Sequence, residues 1–257
     1  MYKKLAYKRY NVHIYEQEQD EDIMLLQSSK KFPMSKFYYD GHKVNCKINC
    51  SYFTSQYVLG RNQGDEKNDT HDQPGFWDCV FPKKDTNELK IGTFKSWDYQ
   101  NNVKCGFSCG AVLVSNGQDV QLVSSAITNN SKITERNPQT ALVKTTAGNI
   151  IFIVSEGRNS VGNGITGLEL REFIKSMYDV KQMVLLDGGG SSEMIVNGSI
   201  KNRLSDGHER PMFNCLCLYN TEQDKPTEEP TEEVTKLKKK IEDLENKLKK
   251  INKLSTI

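Results

Sequence analysis

Residues 183–192 read MVLLDGGGSS, a short apolar run followed by one carboxylate, three glycines and two serines. The run at 183–186 is typical of a buried strand, and it places Asp187 at the C-terminal end of that strand. Glycine lets a backbone approach another group closely, and consecutive N–H groups in such a turn suit an anion. The stretch therefore predicts a carboxylate beside an anion-binding turn.

The segment before this stretch is predicted to form a strand, a helix and a strand. Residues 140–157 contain two apolar runs joined by a short turn, and residues 164–180 carry apolar side chains near helical spacing. Thr166 and Glu169 stand in capping-box register, which marks the start of the helix. Because such a unit usually connects parallel strands, Glu156 and Asp187 are expected at one edge of the sheet.

Two carboxylates at one edge suit two kinds of chemistry. They can divide general acid and general base work, or they can both bind a divalent cation. The simpler alternative is that Glu156 only caps the strand or pairs with Arg158. A second polar cluster lies in SDGHERP at 205–211, where an arginine could bind phosphate bidentately, although a solvated surface turn explains this cluster equally well.

The chain of 257 residues is predicted to contain one large domain at 1–220. Its expected class is α+β, with a mixed β-sheet and helices mainly in the second half. The acidic, proline-containing segment at 221–231 predicts a linker. Residues 232–257 repeat apolar side chains at spacings of three and four, which predicts a parallel coiled-coil helix and homo-oligomers. A single amphipathic helix that folds back on the domain is the alternative.

Composition excludes several classes of partner. The net charge of +2 and the scattered basic residues do not indicate nucleic-acid binding. No apolar run reaches the roughly 18 residues that cross a bilayer, and the basic N-terminus lacks the apolar region of a signal peptide. We therefore expect synthesis in the cytoplasm, which also fits a virion component released by lysis. The seven cysteines are expected to be buried free thiols, with metal or redox use as the alternative.

Five segments together resemble the motifs of the phosphodiester glycosidase family, over roughly residues 45–219. They are NCSYF (49–53), RNPQTAL (136–142), SEGRN (155–159), LLDGGGSSEMIVNG (185–198) and SDGHERPMFNCLCLY (205–219). Cys50 and Ser51 stand where the family has glycines, Gln139 stands where it has an arginine, and Glu156 stands where it has an aspartate. These departures raise the question of whether the chain is active.

The resemblance implies a hydrolase that cleaves a sugar-1-phosphodiester in a phosphate-linked glycan or a nucleotide-sugar-like substrate. The sequence itself requires no cofactor, and a divalent cation is possible. The implied catalytic residues are Asp187, Glu156 and Glu209. The implied substrate-binding residues are Asn49, Arg136, Thr140, Gly188, Gly189, Gly190, Ser191, Ser192, Asp206, His208 and Arg210.

Two alternatives stay open at this stage. The first is a carbohydrate- or nucleotide-binding module that keeps the fold without turnover, and the second is a structural virion protein. The missing signal peptide and the predicted oligomerising tail favour a phage or prophage context. An enzyme of this kind would be tail-associated and would act on surface glycans.

Overall fold

The structure is a computed structural model that describes residues 1–64, 68–71, 76–83, 88–92, 102–123, 131–160 and 162–221. The strands of these ranges are β1 (Tyr2–Tyr7), β2 (Tyr10–Glu16), β3 (Glu21–Phe32), β4 (Val44–Asn49), β5 (Gly60–Gln63), β6 (Asn68–His71), β7 (Trp77–Pro82), β8 (Lys90–Gly92), β9 (Val103–Cys109), β10 (Ala111–Ser115), β11 (Gln118–Val123), β12 (Gln139–Thr145), β13 (Ile150–Ser155), β14 (Val180–Leu185), β15 (Met194–Val196), β16 (Ser199–Ile200) and β17 (Met212–Asn220). The helices are α1 (Ser131–Thr134) and α2 (Gly167–Lys175), with 3-10 turns at Met34–Lys36 and Gly189–Ser191.

The strands form three sheets. The largest has seven strands in the order β1-β2-β13-β12-β14-β10-β11. The other two have five strands each, in the orders β16-β15-β4-β17-β3 and β6-β5-β9-β7-β8. All strand pairs described within these sheets are antiparallel.

The predicted α+β class with a mixed sheet is wrong, because the described part of the protein is mostly β, with 54% of the described residues in strands. The strand–helix–strand unit is present, but β12 lies between β13 and β14 and pairs antiparallel with both. The two outer strands are therefore parallel to each other without touching. A local pattern cannot reveal such an inserted strand, and this is why the sheet was predicted to be mixed.

The seven-stranded sheet is apolar on both faces. On one face Phe152 and Val184 join a core shared with the other two sheets, which also contains Ile48 and Leu216. On the opposite face a second core packs α2 against the sheet through Leu170 and other apolar side chains. Burial on both faces explains why the central strands read as continuous apolar runs rather than as alternating ones.

Short local sequence patterns account for two hairpin turns and one helix start. The Asn116–Gly117 and Asn197–Gly198 pairs form hairpin turns, with φ of 50° and 79° in the first and 50° and 75° in the second. The helix α2 begins with the predicted capping box, in which Thr166 accepts from the N–H of Glu169 and the Glu169 carboxylate accepts from the N–H of Thr166.

All seven cysteines are buried free thiols, as predicted. Among the described residues, no helix has the length and apolar composition needed to cross a membrane. The predicted linker and coiled-coil helix lie outside the described residues, except for Thr221. Homo-oligomerisation through that helix stays a prediction.

Candidate active site

The predicted placement of Glu156 and Asp187 at one sheet edge follows from the topology. Glu156 comes directly after β13, and Asp187 comes two residues after β14. The start of β12 lies between them, with Gln139 opposite Ser155 on one side and Ala141 opposite Leu185 on the other. Because neighbouring strands lie roughly 4.8 Å apart, the two outer strands run about 10 Å apart at this edge.

The glycine turn after Asp187 does not offer the row of free N–H groups that its sequence predicts. The N–H of Asp187 donates to the carbonyl of Cys50, and the N–H of Gly189 donates to the carbonyl of Pro138, both at 2.9 Å. The N–H groups of Ser191 and Ser192 donate to carbonyls within the turn itself. Two of these backbone donors therefore fasten the turn to neighbouring segments, and two close the turn on itself.

Two guanidinium groups lie against the glycines instead. A Cβ atom on Gly189 would lie 2.9 Å from Nη2 of Arg158, and a Cβ atom on Gly190 would overlap the Arg210 guanidinium. The absence of a Cβ at both positions lets each arginine pack directly on the backbone, and the positive φ of 66° at Gly189 also favours glycine. Guanidinium groups can bind phosphate bidentately, so both arginines are candidates for binding an anion at this turn.

Both arginines are oriented by neighbours. Arg158 donates from Nε and Nη2 to Oδ1 of Asn137, at 3.2 and 2.9 Å. Arg210 donates from Nε to Oδ2 of Asp206 at 2.9 Å and from Nη1 to Oγ of Ser191 at 3.3 Å. Arg210 was predicted as a substrate-binding residue and Arg158 was not, although the arginine of the SEGRN motif could have indicated it.

A small cleft opens beside the turn. Its lining residues are Tyr52, Asn137, Pro138, Gln139, Arg158, Gly188 and Gly189. Tyr52 donates its hydroxyl hydrogen to the carbonyl of Leu186 at 3.0 Å. Burial and the nearby negative charge of Asp187 raise the pKa of the Tyr52 phenol, so this group stays neutral. Gly188, which follows Asp187 along the chain, is one of the lining residues.

Three predicted substrate-binding residues form a buried network under the turn. Thr140 lies with its Oγ1 2.8 Å from Oδ1 of Asn49 and 3.2 Å from Oγ of Ser192. Asn49 donates from Nδ2 to the backbone carbonyl of Asp187 at 2.5 Å. Since all three side chains are buried, they hold the backbone that carries Asp187 rather than face a ligand.

Glu156 is anchored by partners from three parts of the chain. Its carboxylate accepts from Nδ2 of Asn11 at 2.8 Å, from Nε2 of His13 at 2.9 Å and from the N–H of Arg203 at 3.0 Å. Nδ1 of the fully buried His13 lies 2.8 Å from the hydroxyl of Tyr2. Burial raises the pKa of Glu156, but the hydrogen bonds from His13, Arg203 and Asn11 outweigh it and lower the value to about 2. Glu156 is therefore an ionised, fully engaged carboxylate, and it does not pair with Arg158.

This lowered pKa predicts a pH dependence of stability. A carboxylate whose pKa falls from 4.5 to about 2 on folding stabilises the protein above pH 4.5 and loses that contribution as the pH falls through 2. We expect the free energy of unfolding in urea to decline between about pH 5 and pH 2 in the wild type. Glu156→Gln should lack this component of the decline.

Glu135→Gln is the matched control, because Glu135 is exposed. This variant should follow the wild-type pH curve. A Glu156→Gln curve that runs parallel to the wild type over the acid range would contradict the assigned pKa.

The remaining predicted residues lie apart from the cleft. Arg136 donates to the carbonyl of Gly164 at 3.2 Å and to Oε1 of Glu169 at 2.7 Å, so it stabilises the start of α2. His208 is exposed in the 205–211 loop. Glu209 accepts from the N–H and the hydroxyl of Ser35, at 2.8 and 2.7 Å. Among the described residues, no three His, Cys, Asp or Glu side chains are close enough to form a metal site.

Comparison with known proteins identifies the family. A profile of the phosphodiester glycosidase family matches residues 43–219. The chain belongs to the phosphodiester glycosidase family. The catalytic domain of zebrafish N-acetylglucosamine-1-phosphodiester alpha-N-acetylglucosaminidase, described as auto-inhibited by its pro-peptide, has a similar fold, with a TM-score of 0.67 and 18% identity over 84% of this chain and 81% of that one.

Two further proteins are similar. A hypothetical protein from Synechocystis has a TM-score of 0.59 and 11% identity over 85% of this chain and 61% of its own. The SPbeta prophage-derived uncharacterized protein YomE of Bacillus subtilis is 29% identical over 117 residues, which are 44% of this chain. The matched region spans only 18% of the length of that relative.

The departures from the phosphodiester glycosidase motifs do not obstruct the cleft. Cys50 is buried in the core shared by the three sheets. Ser51 is also buried, where its hydroxyl donates to Oδ1 of Asn62 at 2.6 Å and accepts from Nδ2 of Asn214 at 3.2 Å. Gln139, at the arginine position, donates from Nε2 to the carbonyl of Ile165 at 3.1 Å. Arg158 supplies a positive charge beside it in the same cleft.

Proposed function

We propose that this domain hydrolyses a sugar-1-phosphodiester, releasing the sugar and leaving a phosphomonoester on the other partner. The observation that carries the proposal is the glycine turn itself. Asp187 precedes the turn, while Arg158 packs on Gly189 and Arg210 packs on Gly190. A carboxylate and two guanidinium groups around one short turn suit a substrate in which a sugar carbon and a phosphate are neighbours.

The reaction breaks the bond between the anomeric carbon and the phosphate oxygen. Water adds to the sugar carbon, and the phosphate departs with the bonding electron pair as a phosphomonoester. Arg158 and Arg210 would bind the phosphate and stabilise its growing charge. Asp187 would face the developing oxocarbenium ion, either as the base that takes a proton from water or as the nucleophile.

In this proposal Glu156 is a positioning residue rather than the acid. Its carboxylate is ionised and already accepts three hydrogen bonds, so it has no proton to give. A phosphate leaves well without protonation, and the site therefore does not need a strong general acid. Glu156 instead joins the N-terminal strand β2 to the edge that carries the cleft.

The test is release of reducing sugar from sugar-1-phosphodiesters, beginning with UDP-N-acetylglucosamine and p-nitrophenyl sugar phosphodiesters. Each substrate is assayed with and without a chelator, because a divalent cation is compatible with the proposal. Turnover that produces free sugar and a phosphomonoester supports the hydrolase. Binding without turnover of any substrate would favour the alternative of a non-catalytic carbohydrate- or nucleotide-binding module.

The prophage-derived relative supports a narrower proposal about biological context. The domain would act as a phage tail-associated enzyme on phosphate-containing glycans of a bacterial surface. Incubation of the protein with purified wall glycans that contain sugar phosphodiesters should release reducing sugar. The same glycans after removal of their phosphodiester-linked sugars provide the negative control.

A further inference from the structure

Glu193 is a buried carboxyl group that the proposed mechanism does not use, and the sequence analysis did not single it out. It lies between the glycine turn and β15, and only 1% of its surface is exposed. Its N–H donates to Oδ1 of Asn49 at 3.1 Å, and its carbonyl accepts from the N–H of Asn49 at 3.4 Å. These two hydrogen bonds fix the backbone of Glu193 beside β4.

The Glu193 side chain meets a second carboxyl group, that of Glu209 in the 205–211 loop. Glu209 already accepts two hydrogen bonds from Ser35 and is partly exposed, so it keeps the negative charge more easily. Two adjacent carboxylates cannot both ionise without strong repulsion. The proton therefore belongs on the more deeply buried Glu193, from which it can be donated to Glu209.

Lys47 is the cation that faces this pair from β4. Its Nζ donates to the carbonyl of Met34 at 2.9 Å and to the carbonyl of Phe37 at 2.8 Å, so it is engaged by the 3-10 turn rather than by Glu193. Oε1 of Glu193 is buried without a hydrogen-bond partner among the described residues. Burial, the hydrogen bond to Glu209 and the charge of Glu209 together raise the pKa of Glu193 to about 8.

We propose that Glu193 is a positioning residue whose protonated carboxyl group donates to Glu209 and holds the 205–211 loop against the glycine turn. Arg210, which follows Glu209 in the chain, packs on Gly190 and donates to Ser191. Ser205 donates its hydroxyl hydrogen to the carbonyl of Gly189 at 3.3 Å, which fastens the other end of the loop. The link from this contact to phosphate binding rests on the proposed function.

Two measurements on the full chain test the contact itself. The first is a titration of glutamate side-chain carboxyl carbons by NMR, in the wild type and in Glu193→Gln. We expect one carboxyl group that titrates near pH 8 in the wild type and is missing from the variant. Absence of any glutamate titrating above about pH 6 would overturn the proposal.

The second measurement is amide hydrogen exchange of residues 203–211 at pH 7 and pH 9. At pH 9, about one unit above the pKa of Glu193, the protonated fraction of this group is about tenfold smaller than at pH 7. The wild-type protection factors should therefore be about tenfold lower at pH 9 than at pH 7. Glu193→Gln keeps a neutral donor and should hold its protection at both pH values. Glu193→Ala should be unprotected at both. Equal protection in Glu193→Ala and the wild type would overturn the proposal.

The direction of the stability change provides a further check. A carboxyl group whose pKa is raised on folding favours the folded state at low pH and loses this contribution as the pH rises through about 8. We therefore compare the melting temperature of Glu193→Gln with that of the wild type at each pH. The difference, variant minus wild type, should be more positive at pH 9 than at pH 5. None of these measurements requires turnover, so failure of the contact and failure of the proposed hydrolase activity remain distinguishable.

Discussion

Asp187→Asn should lower kcat for hydrolysis of a sugar-1-phosphodiester by roughly 10³-fold, because the amide can neither accept a proton from water nor attack the anomeric carbon. The substitution keeps the shape of the side chain and leaves the backbone contacts of Asp187 intact. One is the hydrogen bond from the N–H of Asp187 to the carbonyl of Cys50, and the other is the hydrogen bond that the carbonyl of Asp187 accepts from Nδ2 of Asn49. We expect the free energy of unfolding to change little, and steady-state kinetics with urea unfolding to separate the two effects.

Asp179→Asn is the matched control for this variant. Asp179 is exposed and lies just before the opposite end of the same strand, β14. Its replacement removes one carboxylate at a site remote from the cleft, and turnover should stay at the wild-type level. Turnover by Asp187→Asn within a few fold of the wild type would remove Asp187 from the reaction.

Arg210→Lys should lower kcat/KM by roughly 10- to 100-fold, mainly through a higher KM. A charge-assisted hydrogen bond contributes about 1.5–3 kcal/mol, and lysine cannot reproduce the planar fork of a guanidinium. In this protein the fork binds Asp206 and Ser191 while it packs on Gly190, and a lysine ammonium can satisfy only part of that arrangement. Because lysine keeps the positive charge, the loss of kcat/KM measures the contribution of the guanidinium geometry.

Arg203→Lys provides the comparison, because the Arg203 side chain is exposed and the residue contributes to the Glu156 network through its backbone N–H. Its kinetics should match the wild type. If Arg210→Lys also binds phosphodiester substrates with an unchanged KM, the phosphate is held elsewhere, and Arg158 becomes the leading candidate.

Much of the site edge was predictable, because it depends on local patterns. The carboxylate before the glycines, the capping box of Thr166 and the two Asn–Gly hairpins each follow from a few neighbouring residues. The shared edge of Glu156 and Asp187 was also predicted, although the reason was incomplete. The two strands are parallel, as a strand–helix–strand unit suggests, but β12 separates them.

The partners of the acidic side chains were not predictable. Asn11 and His13, which bind Glu156, lie in the N-terminal hairpin outside the region of resemblance. Glu193 and Glu209 meet only because the 205–211 loop folds back on the glycine turn. No periodicity or spacing encodes such contacts, and a carboxylate in sequence looks the same whether it is free, buried or sharing a proton.

Taken alone, the amino-acid sequence determined the family, the glycine turn and the residues that precede and follow it, since these are properties of short contiguous segments. The tertiary structure decided which of the predicted site residues face the cleft and which are buried beneath it. It also decided the class of the fold, because strand order in an antiparallel sheet depends on pairings between distant segments. Charge and protonation follow the same rule, since burial and neighbouring groups set them, and both arise only when the chain is folded.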